Sequence, residues 1–307
     1  MASAYAQLDA PSRRDFAVAW MNRGHELQAR GRPADLEAAL EAYAYAVEGL
    51  RELVREFGER AEPAWATSLG AALMNRGQLL HRVHGPAAAE EALACFREAE
   101  QHLAPHAARE VVWARRNLAG TRLNRAVLLL DLGRADAAHA DAEAALGLAA
   151  PHERAEPVDA DLGLKARRAL CDAIGRMVVQ PGADQDALAH AASDLVDDAL
   201  ALAWLWSARG TPFPRELALR IFRFGAQLYR LHQPHFLAEF LAEHLGPPHG
   251  ADREIRAIAL ENIDAALAAA PGEPFYTVGD AGSERRIAVA RELEALRRSL
   301  RPAPVSA

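Results

Sequence analysis

The sequence is poor in the residues on which several classes of protein depend. Aromatic residues make up 6% of the 307 residues, lysine occurs only as Lys165, and the two cysteines are Cys95 and Cys171. Two isolated cysteines build no disulfide framework, so we expect a reducing, cytoplasmic environment. No basic segment is interleaved with aromatic residues, and the formal net charge is −7, so nucleic acid is not an expected partner.

Two kinds of hydrophobic segment are also missing. Runs of Val, Ile and Thr that alternate with polar residues are nearly absent, which disfavours β-strands. No apolar run approaches the roughly 20 residues that cross a bilayer, and the N-terminal segment lacks the apolar centre of a signal peptide. Hydrophobic residues still make up 51% of the chain, because alanine, the best helix former, is abundant. The composition predicts an all-α protein without a membrane partner.

What the sequence does contain is an internal repeat. Asn-Arg followed by a small residue occurs at 22–24, 75–77 and 124–126, so the third positions are 53 and then 49 residues apart. Gly175 and Gly225 continue this spacing. A Gly- or Pro-containing turn segment follows each position, and such segments end one helix and begin the next.

After each turn, an apolar or small pair with a spacing of four residues indicates a second helix, because residues i and i+4 share one helical face. These pairs are Ala39/Tyr43, Ala92/Phe96, Ala138/Ala142, Ala187/Ala191 and Leu237/Leu241. Each repeat is therefore predicted to be an antiparallel helix pair, and five to six pairs fill the chain. One pair cannot bury its apolar face alone, so we predict a right-handed stack, an α-solenoid.

These repeats resemble the tetratricopeptide repeat (TPR), which places Trp, Leu-Gly and Tyr on its first helix and Ala and Phe on its second. The matching residues are Trp20, Gly24, Ala39 and Tyr43, then Gly77, Leu80, Ala92 and Phe96, then Ala126, Leu129, Ala138 and Ala142. The resemblance is good over residues 12–150 and weak after them. The usual TPR period is 34, so the longer repeats here predict about two extra turns per helix.

The domain prediction follows from where the resemblance is good. We expect three TPR-like hairpins over residues 12–150. Degenerate hairpins and a C-terminal capping helix are expected over residues 157–301, as part of the same continuous solenoid. Residues 271–283 are expected to form the one long non-helical segment, and residues 302–307 are expected to be a flexible tail.

In peptide-binding members of this family, an Asn at this place faces a concave groove and bonds to the backbone of an extended peptide. The resemblance implies that role for Asn22, Asn75 and Asn124, whose amides offer both a donor and an acceptor. The residues implied to flank them are His25, Gln78 and Arg82. The alternative, that each Asn bonds only to the neighbouring helix, stays open.

The arginines of the triplets, Arg23, Arg76 and Arg125, stand where the family usually packs Leu. Because an unpaired buried charge costs several kcal/mol, we expect each Arg to pair with a carboxylate of the second helix. The candidate carboxylates are Glu37, Glu41, Glu90, Glu91, Asp136 and Asp141. The less favoured interpretation is a clamp in which bidentate Arg side chains hold an acidic peptide or a C-terminus.

No residues resemble a positioned acid, base or nucleophile, so we predict neither a catalytic residue nor a cofactor. His235, Glu239 and Glu243 have a spacing that can seed a metal site, but twelve histidines produce such spacings by chance, and no metal is predicted. The predicted function is non-enzymatic binding of an extended peptide segment of a partner protein in a concave groove. The alternative is an accessory or regulatory subunit of an enzyme complex that docks through its C-terminal half.

Overall fold

A computed structural model describes residues 8–58, 62–210, 215–232, 236–245, 252–268 and 282–300. Every regular element within these ranges is helical. The α-helices are α1 (Ala10–Arg30), α2 (Pro33–Phe57), α3 (Pro63–His84), α4 (Ala89–Ala107), α5 (Val112–Asp131), α6 (Ala135–Ala149), α7 (Pro157–Met177), α8 (Gln185–Ala208), α9 (Arg215–His232), α10 (Leu237–His244), α11 (Arg253–Ala268) and α12 (Gly282–Leu300). The all-α prediction is confirmed for this part of the chain.

The first turn shows how the sequence separates one helix from the next. Helix α1 ends at Arg30 because Gly31 adopts a left-handed conformation with φ of 71°, which a glycine reaches without steric cost. Pro33 then takes the first position of α2, where its missing N–H leaves no helical hydrogen bond unmade. The turn predicted at residues 233–234 lies outside the described residues.

The chain divides into two compact units, Met1–Ala169 and Leu170–Ala307. In the first unit, α1 to α5 each pack against the next helix in the chain, and the first helices of successive hairpins also pack against each other. This pattern confirms the predicted stack of antiparallel helix pairs, an α-solenoid. The boundary between the units falls inside α7, beyond the predicted limit of the three hairpins at residue 150. A single continuous solenoid stays a prediction. The segment predicted at 271–283 and the tail at 302–307 lie outside the described residues, except for Gly282 and Ser283, which belong to α12 and not to a non-helical segment.

The small residue that ends each triplet allows the two helices of a hairpin to pack. A Cβ atom added at Gly24 would lie 2.6 Å from Cε1 of Tyr43, and one added at Gly77 would lie 2.8 Å from Cε1 of Phe96. Both rings are 0% exposed. At the equivalent positions of the third hairpin, Ala126 replaces Gly and Ala142 replaces the ring, and both are 0% exposed. The larger residue on one helix is therefore matched by a smaller one on the other.

In the second unit, Gly225 of α9 has the same packing role. Its Cβ would lie 2.6 Å from Cγ1 of Val196 on α8 and 2.8 Å from Cζ of Phe240 on α10. The ring of Phe240 stacks on Tyr229 and on Phe222 of α9, with centroid distances of 4.6 and 5.6 Å. This aromatic cluster sets the positions of α8, α9 and α10 relative to one another.

Candidate interaction surface

The predicted binding residues all lie on the first helices of the three hairpins. Asn22 and His25 belong to α1, Asn75, Gln78 and Arg82 to α3, and Asn124 to α5. The intervals of three, four and seven residues within a helix keep these side chains on one side of it. Each is exposed or half-buried. We call this set of six residues the first-helix face.

The packing of the hairpins brings the first helices of the first unit, which carry this face, next to one another. Helices α3 and α5 pack extensively, and α1 also contacts α3. The second helices α4 and α6 have no comparable contact within the described part of the unit. The first helices therefore approach each other more closely than the second helices do, an arrangement that favours curvature towards the first helices.

One of the three asparagines already bonds to a neighbouring hairpin. Nδ2 of Asn75 lies 2.9 Å from Nε2 of His25, across α3 and α1. Burial lowers the pKa of His25, so its neutral ring accepts this bond when the proton is on Nδ1. The His25 ring also packs edge-on against Tyr43 at a centroid distance of 5.6 Å. The Asn75 amide keeps a second N–H and its carbonyl oxygen for another partner.

Two of the arginines contact carboxylates of their own second helix. Arg76 donates a hydrogen bond to Glu91, one of the candidate residues. Nε of Arg125 donates to Asp141, another candidate, at 2.6 Å. Nη1 of Arg125 also donates to Glu100 of the preceding hairpin at 2.7 Å. Arg125 thus links two hairpins as well as the two helices of its own.

The first arginine differs from the other two. Arg23 pairs with Glu26 on its own helix at 3.2 Å, and neither Glu37 nor Glu41 on α2 is its partner. The Arg23 side chain is 45% exposed, against 17% for Arg125. The hydrogen bonds that Arg125 donates to Asp141 and Glu100 raise its pKa above the usual range. If Arg125 turned to a ligand, it would leave the largely buried Asp141 carboxylate unpaired, whereas Arg23 would leave only the exposed Glu26.

Several contacts between charged residues of different helices were not predicted from the sequence. Buried Arg115 of α5 donates to Asp159 of α7 at 2.6 Å and to the carbonyl oxygen of Leu148 at 2.7 Å. His81 of α3 lies 2.9 Å from Asp131 of α5. Arg115 and Asp159 are 44 positions apart in the sequence, and His81 and Asp131 are 50 positions apart. No local sequence motif therefore predicts these contacts.

Neither a metal centre nor a membrane-spanning helix is found in the described ranges. No group of three His, Cys, Asp or Glu side chains there is placed to hold a metal ion, and His235 lies outside these ranges. None of the helices in the same ranges has both the length and the apolar character that a bilayer span requires.

Comparisons with known proteins give no family. No protein-family model and no curated protein matches the chain. A crystal structure of BtubC (BKLC) from P. vanneervenii is 16% identical, with 89% of this chain and 96% of that chain covered and a TM-score of 0.34. The de novo designed helical repeat protein DHR64 is 16% identical, with 95% and 99% covered and a TM-score of 0.24. Both TM-scores are too low to support an argument about the fold. The description of the fold therefore rests on the helices and their packing alone.

Proposed function

We propose that the first compact unit is a non-enzymatic binding module whose first-helix face holds an extended segment of a partner protein. The observation that carries the proposal is the recurrence of Asn22, Asn75 and Asn124 at equivalent positions of successive first helices. An amide at each position can donate to one peptide carbonyl and accept from one peptide N–H. Three such amides would hold a main chain without dictating its side chains, as strand addition does.

The residues beside the asparagines would provide the specificity. His25 and Gln78 occupy equivalent places three residues after their Asn, and the third hairpin has Val127 there, with 47% of its surface exposed. Arg82 adds a positive charge one turn beyond Gln78. The groove would thus change along its length from a basic and polar end to an apolar end. An extended segment with an acidic and an apolar residue would match this order.

We also propose that the hairpins belong to the tetratricopeptide repeat class and that the protein acts in the cytoplasm. Packing of Tyr43 on Gly24 and of Phe96 on Gly77 supports the first point, because the family pairs a small residue on the first helix with an aromatic on the second. The buried thiols of Cys95 and Cys171, which form no disulfide, support a reducing compartment.

The test begins with a pull-down and mass spectrometry, which identify the partner and the segment that binds. The segment is then titrated by calorimetry into the full chain and into the triple variant Asn22→Ala/Asn75→Ala/Asn124→Ala. Each lost amide leaves a peptide group unpaired at about 1–3 kcal/mol, so we expect the triple variant to bind at least about tenfold more weakly. Its melting temperature should change little, with the loss of the Asn75–His25 bond as the main cost.

A matched control is the triple variant Glu48→Ala/Arg97→Ala/Glu143→Ala, which removes three exposed side chains from the second helices α2, α4 and α6. It should bind like the unaltered protein. A sharp fall in melting temperature with full binding in the Asn variant would show that the asparagines are structural. Cross-links from the partner only to residues beyond 170 would instead support the alternative, an accessory subunit that docks through its C-terminal half.

A further inference from the structure

A pocket of about 290 Å³ lies between α8, α9 and α10 of the second unit. Four carboxylates contribute to its lining, Asp194 and Asp197 from α8 and Glu239 and Glu243 from α10. Spacings of three and four residues direct each pair towards the same space. Tyr229 and Phe240, whose rings stack on each other, form an aromatic wall. The pocket therefore combines concentrated negative charge with a surface that water solvates poorly.

These carboxylates differ from those of the first unit in having few partners. Arginines pair with Glu100, Asp141 and Asp159 in the first unit. In the described residues, Asp194, Glu239 and Glu243 form neither a hydrogen bond nor an ion pair. No lysine or arginine of the described residues pairs with these three carboxylates, so a bound cation would relieve their mutual repulsion.

A buried histidine, His244, lies behind Asp197 and outside the lining of the pocket. His244 is 4% exposed, and Nε1 of Trp204 donates to its Nδ1 at 3.4 Å, which places the imidazole proton on Nε2. That Nε2 lies 3.9 Å from Oδ1 of Asp197, beyond hydrogen-bonding distance. Both atoms are buried and lack a hydrogen-bond partner in the described part of the chain. Buried polar groups without a hydrogen-bond partner cost stability, so a group that bonds to Oδ1 of Asp197 would be favoured.

The other oxygen of Asp197 is held in place. It accepts a hydrogen bond from the hydroxyl of Tyr229 at 3.0 Å. With Tyr229 on one side and His244 on the other, the carboxylate is oriented before a ligand arrives. A ligand that binds such a carboxylate does not have to order it first.

We propose that this pocket binds an alkyl ammonium or guanidinium group, as carried by a lysine or arginine side chain or by a small amine. The carboxylates would hold the charged head, and the aromatic wall would cover the methylene stem. A metal ion fits less well, because no three potential ligands converge among the described residues. The volume lies at the lower end of ligand pockets and suits one side chain better than a larger molecule. This proposal concerns the second unit and does not depend on the groove of the first.

Calorimetric titration of the full chain tests the chemistry. The probes are acetyl-arginine amide, acetyl-lysine amide and acetyl-citrulline amide, the last being a neutral isostere of the first. We expect at least one of the two cations to bind and citrulline to bind at least about tenfold more weakly. Because exposed charges are screened, binding should weaken as salt is raised from 0.01 to 0.15 M. Equal affinity for citrulline and arginine, or no binding of either cation at millimolar concentration, would overturn the proposal.

Agmatine is a small amine that carries a guanidinium group and has no peptide groups. It distinguishes a small-molecule ligand from a protein side chain. Tighter binding of agmatine than of acetyl-arginine amide would identify a small amine as the ligand class. Tighter binding of the amide would identify a protein side chain, since only the amide reproduces the peptide groups of a chain. Either result supports the proposed chemistry. Displacement of the cation by an equimolar amount of Ca²⁺ would assign the pocket to a metal instead and overturn it.

Isosteric variants locate the binding. Asp194→Asn and Glu239→Gln each remove one pocket charge at an exposed position, so the fold should be kept, as circular dichroism can verify. Each should weaken cation binding about fivefold, the effect of one partly exposed charge. Glu294→Gln on α12, also exposed, makes the same charge change outside the pocket lining and should leave binding unchanged. If Glu294→Gln weakened cation binding equally, the net charge of the protein would explain the effect, and a specific pocket would be contradicted.

Discussion

The first and third hairpins carry the same Asn-Arg-small triplet and use it differently. In the first, Gly24 lies against a buried Tyr43 ring, and Arg23 pairs only with Glu26 of its own helix. In the third, Ala126 replaces the glycine, and Arg125 bonds to two carboxylates. Large aromatic volume stabilises the first hairpin, and a partly buried ion-pair network contributes to the third.

The difference follows from the neighbours that each hairpin has. Helix α5 follows α4, which supplies Glu100 as a second partner for Arg125. Within the described residues α1 is the first helix of the stack, so no earlier hairpin offers a carboxylate to Arg23. The same arginine of the repeat therefore contributes differently to stability, depending on which hairpin carries it. The following variants test this difference.

The largest effect is expected for Arg125→Ala. It leaves Asp141 and Glu100 without this partner, in a site where the Arg125 side chain is 17% exposed. We expect the free energy of unfolding to fall by about 2–3 kcal/mol, as measured by urea denaturation. Arg125→Lys keeps the charge without the planar fork and should recover only part of this loss. An unchanged urea midpoint for Arg125→Ala would contradict a structural network.

A smaller loss in the free energy of unfolding is expected for Gly77→Ala. Its Cβ would lie 2.8 Å from the buried Phe96 ring, so the ring or a helix must shift at a cost of about 1–2 kcal/mol. Gly147→Ala on α6 is the matched control, because its Cβ meets nothing within 4 Å. That variant should stabilise the helix by about 0.5–1 kcal/mol. Destabilisation of both variants to the same degree would show that the contact with Phe96 is not the cause.

Acid should weaken the network of the third hairpin. Burial alone would raise the pKa of Glu100, but hydrogen bonds from Arg122 and Arg125 hold this pKa below its usual value. The unfolded chain therefore takes up the Glu100 proton more readily than the folded chain does. The stabilising contribution of Glu100 is fully present above its unfolded-state pKa of about 4.3. This contribution is lost as the pH falls through the lower pKa that Glu100 has in the folded state.

The measurement is the urea midpoint between pH 7 and pH 3, compared with the variant Glu100→Gln. The variant should be less stable at pH 7 and should lose less of its remaining stability on acidification, because it lacks this titrating group. Parallel pH profiles for the two proteins would show that Glu100 does not contribute to the acid sensitivity.

The smallest effect on stability is expected for Arg23→Ala. Its partner Glu26 is exposed on the same helix, and such pairs contribute about 0.5 kcal/mol or less. If Arg23 serves the partner segment instead, this variant should weaken partner binding by calorimetry while the urea midpoint stays constant. A loss of stability equal to that of Arg125→Ala would remove the difference between the two hairpins.

How far the sequence predicts this protein depends on the distance over which each feature acts. The helix boundary between Arg30 and Pro33 follows from glycine and proline, whose backbone preferences act within one or two residues. The pairs Arg76–Glu91 and Arg125–Asp141 were within reach of prediction, because they join adjacent helices of one hairpin. The partner of Arg23 was predicted wrongly, because a local carboxylate at Glu26 competes with those on α2.

The sequence by itself determined that the chain is helical and repeats, because period, turn residues and small-residue positions are local properties that each hairpin expresses alone. Only the tertiary structure decided which charges meet. Arg115 finds Asp159, and Asn75 finds His25, across helices that only the stacking brings together. The acidic pocket has the same origin, since Asp194 and Glu239 share it only through the packing of α8 and α10 around the ring of Phe240. Contacts of this kind depend on the rotation and offset between helices, which side-chain volumes across the whole interface set and no short motif encodes.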